Sequence, residues 1–199
     1  GIEPTNSTAD VAEQFGIPVL REFFSEALGK KLAAEGRQAD LIAGNNVYAH
    51  VPDINDFTKG LKAALKLGGT ITLEFPHLMR LIDQAQFDTV YHEHFSYLSL
   101  TSVSNIFEKN GLTVFDVEEL TTHGGSLRVF AQRKDTGKQP VTENVRRVMT
   151  NETELGVNSS NYYEGFQEKT DRIKNEFLSF LIEAKSKGKK VAAYGAAAK

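Results

Sequence analysis

The chain has 199 residues, 40% of them hydrophobic and 25% charged, a net charge of −3 and no cysteine. That composition is ordinary for a globular protein; it excludes disulfides, thiol nucleophiles and zinc–thiolate sites, and gives no electrostatic case for nucleic acid or an anionic membrane as partner. No apolar run approaches the roughly 20 residues of a membrane span and no signal-peptide pattern opens the chain, so a cytoplasmic protein with no nucleic-acid or membrane partner is expected.

Gly1-Ile2-Glu3-Pro4 reads as the tail of a β-strand. In nucleotide-binding α/β folds an acidic side chain at such a strand end accepts hydrogen bonds from ribose hydroxyls, although taken in isolation Glu3 reads as a surface carboxylate at a loop. Ser7 to Asp10 has the pattern of a helix start and Phe15-Gly16 that of a helix end. Ile17-Pro18-Val19-Leu20 reads as a short strand, and Phe23 to Ala34 as a helix ending at Gly36. Asp40 to Ala43 is a strand that leaves its carboxyl end at Gly44-Asn45-Asn46. In open α/β sheets ligands lie outside the carboxyl ends of strands, and paired asparagines offer donors and acceptors there; Gly-Asn-Asn is also a good turn formula. His50 would face the same crevice.

Asp53 caps a helix carrying Ile54, Phe57, Leu61, Ala64 and Leu65 on one face, with Gly68-Gly69 closing it. Thr70 to Phe75 is the next strand, and Glu74 at its end is costly to bury without a partner. Strands alternating with helices in this way indicate βαβ units and a parallel sheet.

Tyr91-His92-Glu93-His94-Phe95-Ser96-Tyr97 places a phenol, a carboxylate and two imidazoles within four positions. Such a group can move protons near neutral pH. In an extended strand His92 and His94 would share a face and, with His50 or His77, could bind a metal. A third reading buries the aromatics and leaves the histidines at the rim of the core. All five histidines (His50, His77, His92, His94, His123) fall at or near predicted strand edges or loops, and none follows Lys134.

Ser102 to Lys109 is a helix closed by Asn110-Gly111. Leu112–Val117 and Leu127–Gln132 are strands too close in sequence for a parallel return, so they pair antiparallel. After a polar turn at Asp135–Pro140, Tyr163, Phe166, Thr170, Ile173, Phe177, Leu181 and Ala184 form one stripe of a long helix. The stripe is expected to pack against the sheet domain or another neighbour. Val191–Tyr194 reads as a buried strand running into a small-residue turn. With an element cut at each end, the chain reads as an excised segment of a longer protein.

Four motifs occur in order: Gly44–Asp53, Glu74-Phe75-Pro76-His77, Tyr91–Tyr97 and His123-Gly124-Gly125-Ser126-Leu127-Arg128. Together they resemble the S-adenosylmethionine-dependent sugar C-methyltransferases, which methylate C3 of nucleotide-linked 4-keto-deoxysugars and whose hallmark is a Tyr-x-Glu-His run. The resemblance implies a partial Rossmann-like class I methyltransferase sheet, mixed with a late antiparallel strand and followed by helices. Residues 1–134 would be the C-terminal part of the cofactor domain, 135–190 a helical linker, and 191–199 the start of a further nucleotide-binding-like domain. Zinc would belong only to an N-terminal domain outside this chain.

By the same resemblance His94 matches the general base, Tyr91 and Glu93 the neighbours that orient base and substrate, and His50 an imidazole beside the developing enolate oxygen. Glu3 would bind the cofactor ribose and Asn45-Asn46 would sit beside the cofactor. The partner is a nucleotide-linked sugar, and a monomer is expected. The 199 residues alone are expected to be inactive and to bind cofactor weakly. A class I methyltransferase with a non-sugar acceptor and a non-catalytic nucleotide-sugar-binding module are the alternatives. For Tyr91 and His94 to reach one pocket, the segment must turn or bulge rather than run as a regular strand.

Overall fold

The computed structural model describes residues 1–195. Four strands form one sheet: β1 (Ala39–Asn45), β2 (Leu65–Pro76), β3 (Leu112–Leu120) and β4 (Ser126–Arg133), in the order β1-β2-β4-β3. β1 pairs parallel to β2, whereas β4 runs antiparallel to both β2 and β3. The sheet is therefore mixed, and the late strand pair is antiparallel as its short connection requires. β4 is inserted between the two strands that precede it in sequence.

Alternation along the strands builds the core. Ile71, Leu73 and Phe75 of β2 and Leu127, Val129 and Ala131 of β4 share one face, each without solvent exposure. Tyr48, Leu61, Leu100, Val103 and Phe107 pack against them. Each such large apolar side chain contributes about 1.5–3 kcal/mol of burial.

Helices supply the cover: α1 (Asn6–Gln14), α2 (Glu26–Ala34), α3 (Ile54–Ala64), α4 (Leu78–Asp83), α5 (Leu100–Lys109), α6 (Glu143–Glu154) and α7 (Phe166–Ser186). Asp53 caps α3 as its sequence predicts, accepting the Asn55 and Asp56 N–H groups at 3.1 and 2.9 Å. α2 and α3 meet at Gly29 and Gly60. A Cβ on Gly29 would lie 2.4 Å from the Gly60 carbonyl oxygen, so the two backbones touch where any larger residue would part them.

The elements depart from the sequence reading in several places. Ile17–Leu20 forms no strand of the sheet; Leu20 makes a single parallel bridge to Ile2. The helix expected from Phe23 begins at Glu26, because Ser25 is extended and its hydroxyl caps the Leu28 N–H. Gly68-Gly69 does not close α3, and Leu65 does not belong to it. Leu65 already pairs with Ala39, so both glycines lie inside β2. α4 is an additional helix.

Tyr163 falls in a 3₁₀ turn (Ser160–Tyr163) rather than in α7. The expected stripe is packed unevenly: Ala184 is buried and Phe166, Thr170 and Leu181 are half-buried, whereas Ile173 and Phe177 are 40% and 60% exposed. Residues 191–195 form no strand, and the small-residue turn after them lies outside the described residues. Among the described residues, no helix is long and apolar enough to cross a membrane.

Candidate active site

The carboxyl ends of β1 and β2 lie side by side, with Asn45 in register with Glu74. The chain turns sharply after β1. Asn46 adopts a positive φ of 54°, which asparagine tolerates better than most residues, and its N–H donates to the Glu74 carbonyl at 2.8 Å. The Asn45 and Asn46 side chains are exposed at this edge. At Gly44 a Cβ would come within 2.9 Å of Leu73, so the turn needs glycine for close approach to β2.

A 3₁₀ turn over Tyr48–His50 follows. The Thr58 hydroxyl donates to the Ile54 carbonyl, so the Tyr48 phenol is the donor in its 2.7 Å bond to Thr58 Oγ1. Burial pushes that phenol above its usual range, which keeps it neutral. This anchor holds His50 half-exposed at the sheet edge.

The second loop leaves β2 at His77 and returns at Leu98, which forms a bridge with His77. The Tyr91–Tyr97 stretch on this loop is no extended strand. The His94 N–H donates to the Tyr91 carbonyl at 3.1 Å, closing a turn. His92 and His94 therefore lack the shared strand face of the metal reading, and among the described residues no three His, Asp or Glu side chains gather as a metal site. The turn brings Tyr91 and His94 together, with ring centroids 4.5 Å apart, as the two-residues-one-pocket condition required.

His94 also faces His50 across the two loops, at 4.7 Å between ring centroids, and Tyr97 at 6.0 Å. The Phe95 and Ser96 N–H groups both donate to the Ala49 carbonyl, at 2.9 and 3.2 Å, and lock the loops together. His94 Nδ1 lies 2.8 Å from the Thr89 carbonyl oxygen. A carbonyl only accepts, so Nδ1 carries the proton and the neutral ring bears its lone pair on Nε2. Leu78, Leu81 and Thr89 line the small pocket beside the ring. Burial raises the Tyr91 phenol, with the Glu93 and Tyr97 charges adding to the shift. Glu93 and His92 are exposed.

Glu74 meets one partner in the loop after β3 and another across the ladder on β4. Its carboxylate accepts the Thr122 hydroxyl at 2.8 Å and the Arg128 guanidinium at 2.9 Å. Burial alone would raise this carboxyl; those two bonds outweigh it and hold the group below its usual range. His123, on the same loop, is exposed with a positive φ of 52°.

Glu3 stands on the short pairing with Leu20, its carboxylate accepting the Thr5 N–H at 2.8 Å. His77 is no rim residue. It is 1% exposed, and Nε2 lies 2.8 Å from Oε1 of Glu152, itself fully buried. Glu152 also accepts the Leu100 and Thr101 N–H groups at 2.7 and 2.8 Å and the Thr101 hydroxyl at 2.6 Å. Nothing local in the sequence marks Glu152; it is one acid in a polar helix, and only packing shows what it meets.

The mixed sheet, parallel at β1–β2 and antiparallel at β4, has the architecture of class I methyltransferases, whose cofactor is S-adenosylmethionine. Solved structures agree on the fold. A SAM-dependent methyltransferase from Anabaena variabilis matches with a TM-score of 0.51 over 67% of this chain and 67% of its own, at 10% identity. One from Thermotoga maritima matches with a TM-score of 0.50 over 67% of this chain and 72% of its own, at 18% identity.

The chain belongs to the methyltransferase-domain family, whose model matches residues 5–117. The model of the C-methyltransferase C-terminal domain matches residues 121–199. The C-methyltransferase NovU of Streptomyces niveus is 34% identical over all 199 residues, and the chain spans 47% of NovU's length. The two family models divide at the end of β3, yet β4, from the second, lies hydrogen-bonded between β2 and β3 of the first. The two matched regions share one core.

Proposed function

We propose that the protein of which these residues form part is an S-adenosylmethionine-dependent C-methyltransferase acting on a nucleotide-linked 4-keto-deoxysugar, with His94 as general base. The tautomer of His94 carries this reading: with Nδ1–H committed to Thr89, the lone pair lies on Nε2. An imidazole in this tautomer suits abstraction of a weakly acidic proton beside a ketone, a contribution of typically 10²–10⁴-fold.

The exposed carboxamides of Asn45 and Asn46 fit a zwitterionic cofactor, because each offers a donor and an acceptor. A carboxylate also has lone pairs for ribose hydroxyls beyond the one the Thr5 N–H takes from Glu3. Bound cofactor would supply an electrophilic sulfonium methyl: C3 would gain the C–C bond as the methyl–sulfur bond breaks and its electron pair leaves on the neutral thioether. His94 Nε2 takes the C3 proton and becomes imidazolium. His50, across from that ring, donates to the oxygen on which the enolate charge develops. The Tyr91 phenol, kept neutral, remains a hydrogen-bond donor at the same ring edge. Glu93 adds negative charge near the imidazolium as it forms.

The test is proton exchange at C3. In deuterated buffer the whole protein with cofactor product and a nucleotide-linked 4-keto-deoxysugar should wash deuterium into C3. His94→Asn should slow both exchange and methylation by about 10²–10⁴-fold while cofactor binding by calorimetry persists. Exchange at the wild-type rate in His94→Asn removes the base assignment, and turnover only on a non-sugar acceptor removes the substrate.

A further inference from the structure

Glu152 lies outside the methyltransferase-domain match, on α6. Its carboxylate nevertheless holds both ends of the loop that carries His94. On the entering side it meets His77, whose own N–H donates to the Gly125 carbonyl at 3.0 Å. On the leaving side it takes the first two N–H groups of α5, next to the Ser99–Ser102 capping box. Between these points the Leu78 N–H donates to the Leu98 carbonyl at 2.9 Å and closes the neck.

A carboxylate can only accept, so His77 Nε2 is the donor, and all four bonds converge on two oxygens. At a helix N-terminus such an anion also meets the positive end of the dipole. The same C-terminal region grips α4 at further points. The Tyr162 phenol reaches the Met79 carbonyl at 3.4 Å, and the Lys169 ammonium bonds the Asp83 carbonyl.

We propose that Glu152 is a positioning residue for the reaction: through His77 and the start of α5 it fixes the neck of the 77–98 loop and so sets the placement of His94 against His50. The C-terminal helices thereby hold the site of the methyltransferase domain in register. This rests on the base assignment for its kinetic readout, and has a second readout that does not.

Glu152→Gln keeps the volume and puts an amide N–H₂ against backbone donors. Thr101→Val removes only the hydroxyl bond and serves where Glu152→Gln folds poorly. In the whole protein, with active enzyme counted by cofactor binding, kcat should fall about tenfold or more in Glu152→Gln, and less in Thr101→Val, with KM for the cofactor unchanged. In the His94→Asn background the Glu152→Gln change should add nothing to the residual rate. Hydrogen exchange should quicken about tenfold or more at the amides of residues 84–97 and stay constant in β2 and β4. Unaltered exchange in that loop overturns the clamp whatever the substrate. A kcat loss that is fully additive with His94→Asn overturns action through the base. If loop exchange quickens but the wild-type protein does not methylate a keto-sugar, the proposed substrate fails and the clamp stands.

Discussion

His77 and His94 sit on one loop and meet opposite surroundings. His77 is sealed in the core, its Nε2 proton given to a carboxylate that four donors saturate. His94 is half-buried among aromatic rings, with one nitrogen fixed by a carbonyl. The same side chain is a fastener in one place and, in the proposed function, a proton acceptor in the other. What separates them is burial: His77 is sealed with its Nε2 proton on a carboxylate, whereas His94 is half-buried and its tautomer is set by the Thr89 carbonyl.

The sharpest way to break that contrast is to exchange the roles. His94→Asn should cost about 10²–10⁴-fold in kcat and leave the thermal midpoint nearly unchanged. A large drop in melting temperature would show that His94 is a fastener as well. Glu152→Ala should cost stability as well as kcat. Removing the acceptor of four hydrogen bonds leaves buried donors unpaired, at about 1–3 kcal/mol each, read as a lower midpoint in urea.

Acid gives a smaller, graded test. Burial raises the Glu152 carboxyl, but the His77, Thr101 and Leu100 bonds outweigh it and leave it below the ordinary value of 4.5. A carboxyl held lower in the folded than in the unfolded state makes the unfolded chain bind more protons as pH falls. Its stabilisation is thus present above the ordinary value and lost as pH drops through the folded one. Glu74 and Asp116, also held low by hydrogen bonds that outweigh burial, act in the same sense. The urea midpoint of the wild type should therefore fall on acidification below 4.5, and Glu152→Gln should show a shallower fall from a lower start. The smallest effect belongs to Glu93. Being exposed, it should act only as a screened charge, worth roughly 0.2–1 kcal/mol, so Glu93→Gln should change kcat by about fivefold or less. A larger loss would mean direct contact with the substrate.

Much of the site was legible because its signals are local. Gly44-Asn45-Asn46 follows a strand of obvious alternation, Asp53 is a cap read directly from its place before an apolar face, and the Tyr91–Tyr97 run stands out by composition. The need for a turn or bulge there followed from strand geometry once the resemblance put Tyr91 and His94 in one pocket. The misread elements share a cause. Gly68-Gly69 looks like a helix stop, but pairing with β1 draws residues 65–69 into a long strand. Ile17–Leu20 has strand propensity and finds no sheet neighbour beyond one bridge. α7 has the stripe of a packed helix, yet its Phe177 stays exposed in this chain.

By itself the sequence determined the alternation of strands and helices, the antiparallel return of the last pair and the cluster of titratable side chains, because each depends on residues near one another along the chain. Only the tertiary structure decided which histidine is sealed and which is open, which nitrogen of His94 holds the proton, and that an acid on α6 holds the loop bearing that ring. Those outcomes depend on contacts between residues far apart in sequence, where burial and hydrogen-bond satisfaction, rather than local preference, set the energy.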